Sequence, residues 1–153
     1  MPVLNEAPRA LDFIVSEANG YRSREKVVIR LPLVPATAIP LMPGTLLYAE
    51  GSELAVPVLT GFYLPATLPA HLDFVNSLLM YPTDNRDGPV EAAVIMRQAE
   101  VNSAYLLYEF AIAGGAIFTQ PQIDAVQAAL LNNTIIVRPG IHAQSIVAPP
   151  PGP

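Results

Sequence analysis

The sequence predicts a mainly β, β-rich α+β domain with one short C-terminal helix and an extended N-terminal arm. Three observations carry this. Seven prolines, Pro32, Pro35, Pro40, Pro43, Pro57, Pro65 and Pro69, interrupt residues 31 to 70. A proline inside a central strand deletes a ladder donor, so this region reads as short strands joined by extended turns. The runs "VNSLLMY" (75 to 81) and "VEAAVIMR" (90 to 97) flank "PTDNRDGP", in which Asp87-Gly88 and two bracketing prolines supply the turn chemistry of a hairpin. One stretch, opening at "TQPQ" (119 to 122), carries a helix start signal.

Residues 1 to 20 read as an arm, with Pro2 and Pro8 near the start, mixed charge, and Asn19-Gly20 as a break. Within it, "LDFIVSE" places Leu11, Phe13 and Val15 at period two, the spacing that puts three apolar side chains on one face of a strand. Two readings stand. The strand lies on its own domain's core, or it stays free until it adds to the sheet edge of a partner.

"NGYRSREKVVIR" (19 to 30) gathers Arg22, Arg24, Lys26 and Arg30, four of the eight basic residues of the chain. Its end, "KVVIR" (26 to 30), has the β-branched content of a short strand. The charges either keep one strand face or edge soluble or dock on an acidic partner. As a nucleic-acid patch the cluster lacks aromatic interleaving beyond Tyr21.

Further strands are expected near "GTLLY" (44 to 48), "ELAVPV" (53 to 58) and "GFYL" (61 to 64), with Pro43-Gly44 as the turn before the first. The continuous apolar runs of the hairpin predict strands covered on both faces. "EVNSAYLLYEF" (100 to 110) begins as a strand and closes into a helical turn, with Tyr105, Leu106 and Tyr108 reaching the core or a neighbour. Gly114-Gly115 then loosens the chain. The helix has Thr119 as N-cap, Pro121 in the first turn and Gln122 at N3, the pattern of a capping box. Ile123, Val126 and Leu130 follow at helical spacing, Asn132-Asn133 marks the end, and "TIIVR" (134 to 138) is the last strand. The Pro-rich tail, residues 139 to 153, ends in an extended "APPPGP".

With 153 residues the chain fits one core. Apolar residues are 52% and charged ones 14%, against typical shares of about 45 to 50% and about 25%. A surface this short of charge leaves contiguous apolar patches, which mark places where a partner sits. The net charge of −5 argues against nucleic acid as the main partner. The absence of cysteine removes disulfides and thiolate chemistry and fits synthesis in a reducing cytoplasm. Glu6, Asp12 and Glu17 spoil a signal peptide. Four prolines break the charge-free stretch from residue 31 to 49, so no membrane span is expected.

Little in the sequence points to catalytic or metal chemistry. His71 and His142 have no helical partner or acidic companion at ligand spacing, so neither is assigned to a metal or a triad. "TDNRDG" departs from a calcium loop at its first position, Thr83, and its last, Val94. No phosphate-binding glycine pattern and no nucleophile elbow occur. No enzyme activity and no cofactor are expected.

The order of "SRE", an apolar strand, "PGTLLY", "VEAAVIMRQAEVNSAYLLY" and a helix ending in "LLNNTIIVR" resembles the head decoration proteins of tailed bacteriophages, the lambda-type capsid-stabilising or cement proteins. The likeness runs from about Asn19 to Arg138. It implies a compact small β-barrel, tulip-like, assembled as a homotrimer on three-fold sites of the expanded capsid. There it would sit on the outer virion surface, made in the host bacterial cytoplasm and binding the major capsid protein. By the same resemblance residues 1 to 20 are a capsid-binding arm, 21 to 138 the core and 139 to 153 an added tail. Leu11, Phe13, Ile14, Val15, Arg22 and Arg24 are the expected capsid contacts, and Tyr105, Leu106, Tyr108 and Phe110 a possible subunit interface. Residues 31 to 43 and 59 to 74 and the segment "YLLYEFAIAGGAIF" depart from the family's minimal pattern. The alternatives are another trimeric virion or tail component, or a small glycan-binding β domain.

Overall fold

A computed structural model of the chain describes residues 13–17, 23–30, 41–66, 69–84, 88–106 and 119–139. Five strands close a barrel in the order β2-β4-β3-β5-β6. They are β2 (Arg24–Ile29), β3 (Leu46–Ala49), β4 (Phe62–Pro65), β5 (Val75–Leu79) and β6 (Val90–Ile95). The β2/β4 pair is parallel and the other four pairings are antiparallel. A second sheet, ordered β1-β7-β8, is built from β1 (Ile14–Glu17), β7 (Ala99–Asn102) and β8 (Ile135–Arg138). One helix, α1 (Gln120–Leu131), and two 3₁₀ segments, Pro69–Phe74 and Ser103–Tyr105, complete the described elements. The mainly β class, the small barrel and the C-terminal helix agree with the sequence reading.

The apolar runs of the barrel strands are explained by two cores. One gathers Val27, Ile29, Leu41, Leu47, Leu79, Ala92 and Val94 with Tyr63 against them. Every barrel strand contributes to it, which makes it the filling of the barrel. The other takes the alternate residues, Leu46, Tyr48, Leu64, Leu78 and Ile95, and packs them against Phe13, Val101, Val126, Leu130 and Ile135 of the second sheet and helix. Because the side-chain period of a strand is two, a strand serving both cores reads as a continuous hydrophobic run. In β6, Ala92 and Val94 face the barrel core while Ala93 and Ile95 face the other.

The helix begins as the sequence predicts. Gln122 at N3 accepts a hydrogen bond from the Thr119 N–H at 2.8 Å, completing the capping box. Val126 and Leu130 are buried and Ile123 packs at the margin of the core. The helix end is held to the barrel by Asn133, whose side-chain amide donates to the Asn76 carbonyl at 3.2 Å.

Residues 53 to 58 differ from the expectation of a strand: they form turns, bends and irregular chain. The physical reason is that β3 already has partners on both sides, β4 and β5, so a closed barrel offers this segment no edge, and Pro57 could not donate to one. The 3₁₀ segment Pro69–Phe74 has no counterpart in the sequence reading.

Candidate functional site

Among the described residues the N-terminal strand occupies an edge of the second sheet. β1 pairs on one side with β7, Ile14 opposite Val101, Ser16 opposite Glu100 and Glu17 opposite Ala99. The register skips Val15, so Val15 is the extra residue of a β-bulge. This separates the predicted apolar face. Phe13 is buried at 2% exposure in the chain's own core and its carbonyl accepts from the Asn102 N–H at 2.7 Å, whereas Val15 stands 56% exposed. Ile14 is half-buried and packs against the same core as Phe13. Leu11 and Arg22 lie outside the described residues.

The basic cluster is largely answered by carboxylates of the same chain. Arg24 pairs with Glu17, joining β2 to β1, and Ser23 Oγ donates to the same carboxylate at 2.6 Å. The Arg24 guanidinium holds the Glu17 carboxyl below its usual range, against burial that pushes it up, and Glu17 in turn raises Arg24. Lys26 faces Glu91 across the β2/β6 pair at 3.8 Å. Arg30 pairs with Glu50 and lies 4.8 Å over the Phe62 ring. Glu50 is depressed by Arg30 and by the Thr60 hydroxyl, which donates to it at 2.6 Å. Glu25 pairs with Arg97, and Arg138 and Ser16 hold the Glu100 carboxyl low. Of the expected subunit interface, Tyr105 is exposed, Leu106 is buried, and Tyr108 and Phe110 lie outside the described residues.

The loop joining β3 to β4 is the surface feature that the sequence reading missed. Leu54, Val56, Val58 and Leu59 are 52 to 76% exposed. Their alternation with small residues is also the pattern of a half-buried strand, so exposure had no distinct signal beyond Pro57. The loop is pinned at its base. Gly51, at φ +89°, donates to Glu53 Oε2 at 2.9 Å and accepts from the Val58 N–H at 3.3 Å. A Cβ on Gly51 would lie 2.0 Å from the Val58 carbonyl oxygen, so only glycine fits.

Beside this loop, Tyr48 and His71 stack with ring centroids 4.6 Å apart, and the Tyr48 hydroxyl lies 3.5 Å from His71 Nε2. Burial pushes Tyr48 up to about 12, with Glu53 and Glu50 adding to it. Burial lowers His71, whose Nδ1 is buried without a hydrogen-bond partner, while Glu53 opposes that shift. His142 lies outside the described residues. Among the described residues no group of three or more His, Cys, Asp or Glu is placed to hold a metal ion, and no helix is long and apolar enough to cross a membrane. Two surface features stand out among the described residues: the edge strand β1 and the pinned apolar loop after β3.

Comparison with known proteins returns one family. The model of the bacteriophage lambda head decoration protein D family matches residues 3–135. No curated protein and no solved structure matches significantly.

Proposed function

The chain belongs to the bacteriophage lambda head decoration protein D family, and from that premise we propose that it clamps the expanded capsid as a trimer at three-fold sites against the pressure of packaged DNA. The family is structural and non-enzymatic, and its role is to decorate the phage capsid at the virion surface. The family match over residues 3–135 is the observation that carries the reading. Three copies at one site give each arm a high local concentration once the first engages, so weak single contacts add to a firm clamp.

In this proposal residues 1 to 20 are the capsid-binding arm, 21 to 138 the body and 139 to 153 a tail. The arm does not detach as a whole, since Phe13 and Ile14 belong to the body's core. The capsid-facing elements are the residues ahead of Phe13, Leu11 among them, together with exposed Val15 and the β1 edge not taken by β7. A strand edge of this kind accepts an added strand, with backbone hydrogen bonds supplying affinity and alternate side chains specificity. Arg22 and Arg24 lie where the arm joins the body, and Arg24 already fastens β1 to β2 through Glu17.

Co-sedimentation with expanded, undecorated shells tests the proposal, together with sedimentation equilibrium of the free protein. Saturable binding in multiples of three per three-fold site is the expected result. Binding that is absent, or one copy per site, overturns it.

A further inference from the structure

We infer that the β3–β4 loop, residues 51 to 60, is the surface through which copies of this chain contact one another, an assignment that rests on the trimer reading above. The loop presents Leu54, Val56, Val58 and Leu59 to solvent. Together these expose an area on the order of a few hundred Å², the scale at which an apolar patch marks an interaction site.

Charge selects the occupant. Residues 54 to 60, "LAVPVLT", carry no charge in a chain whose net charge is −5. Two copies approaching through most of their surface bring like net charge together, whereas this loop brings no charge of its own into a contact with a sister subunit and leaves none to desolvate there. Glu50 and Glu53 at its base are engaged by Arg30 and by the Gly51 N–H, so they rim the patch without entering it. An apolar centre with a paired, polar rim is the anatomy of a specific interface.

Position leaves the arm free to act. β2 runs from Arg24, paired to Glu17 of β1, to the residue before Arg30, paired to Glu50 at the base of the loop. The loop and β1 thus lie at opposite ends of a six-residue strand, about 20 Å apart. A subunit can hold its sisters by one end and the shell by the other. The pinning by Gly51, Glu53 and Thr60 also matters, because a loop ordered before contact loses less entropy on association.

The test uses the full chain. Val56→Asp with Leu59→Asp places two carboxylates at exposed positions, and sedimentation equilibrium reads self-association while thermal unfolding of the dilute protein reads the fold. Self-association weakened at least 100-fold with an unchanged monomer fold is the expected result. As the chain has no cysteine, Val56→Cys gives one thiol, whose labelling by a soluble maleimide should slow at least tenfold when wild-type-like trimers form. A double variant that remains trimeric, or an introduced thiol that labels equally fast in trimer and monomer, overturns the loop assignment and leaves the trimer standing. A trimeric variant that no longer binds shells overturns it in favour of a loop that faces the capsid. A wild-type chain that is monomeric in solution and counted singly on shells removes the trimer reading itself.

Discussion

Phe13 and Val15 are two residues apart, yet they divide the N-terminal segment between core and surface. Phe13 is enclosed by the second sheet and the barrel's outer face, so Phe13→Ala should cost about 3 to 5 kcal/mol through lost transfer energy and the cavity left behind. Val15→Ser, at an exposed bulge, should change stability by no more than about 0.5 kcal/mol. Denaturant unfolding of the two variants checks this, and equal costs would mean that the bulge does not set the facing. The half-exposed Arg24–Glu17 pair adds about 0 to 1 kcal/mol at most, so its value lies in fixing β1 against β2 rather than in stability. His71 gives a pH dependence with a definite sign. Its folded value is lowered from 6.5 by burial, so below that pH the unfolded chain takes up a proton that the folded chain refuses. Stability from this group is present above about 6.5 and is lost as pH falls from there toward the folded value. Glu17 and Glu50 are also lowered, from 4.5. Their contribution is present above that value and is lost, at more acid pH, as pH falls through their folded values. Thermal midpoints measured from about pH 7.5 down to about 3 should therefore fall in two stages, and His71→Phe should remove the first while leaving the second.

At the scale of elements, the loop after β3 is held by one backbone conformation. Gly51→Ala sets a Cβ against the Val58 carbonyl at a φ that alanine avoids, so it should cost more than about 1 kcal/mol and unpin the loop. Urea unfolding and hydrogen exchange of residues 52 to 60 check both parts. Helix α1 offers the contrasting case, since its cap, first-turn proline and buried stripe were all legible in a single stretch of sequence. So were the β5/β6 hairpin and the strand-to-turn passage at Ser103, because each depends on residues close in the chain. The bulge at Val15, the parallel β2/β4 pair and the fate of residues 53 to 58 were not. A bulge depends on the register of a partner far along the chain, Val101 and Glu100 for β1, and closure of the barrel depends on β2 meeting β6. "ELAVPV" alternates as a strand does, and only the absence of an open barrel edge turns it into an exposed loop. The same distance effect hid the answer to the basic cluster, whose partners Glu50 and Glu91 come from segments that the sequence alone does not place beside β2.

For the whole molecule, affinity for the shell follows from how many copies act together. Capsid decoration by single subunits would require each arm to hold alone, with roughly 1 to 2 kcal/mol of backbone entropy lost per residue that becomes ordered. In a trimer each arm still bears its own ordering cost, but the second and third bind at high effective concentration once the first has engaged, a gain of about 10² to 10⁴ in affinity over one arm. Disrupting the apolar loop and disrupting the arm should therefore fail in different ways. Val56→Asp with Leu59→Asp leaves each arm intact, so the separated subunits should still occupy every site at saturation but with affinity about 10² to 10⁴ lower. Val15→Asp leaves the trimer intact but weakens three contacts at once, and it should lower shell affinity without changing the sedimentation of the free protein. Titration of expanded, undecorated shells with the wild type and both variants, reading bound protein per shell, separates the two. If the loop variant sediments as a monomer and still binds as tightly as the wild type, avidity is not what holds the protein on the capsid. If Val15→Asp also binds as tightly, the exposed strand is not the capsid contact.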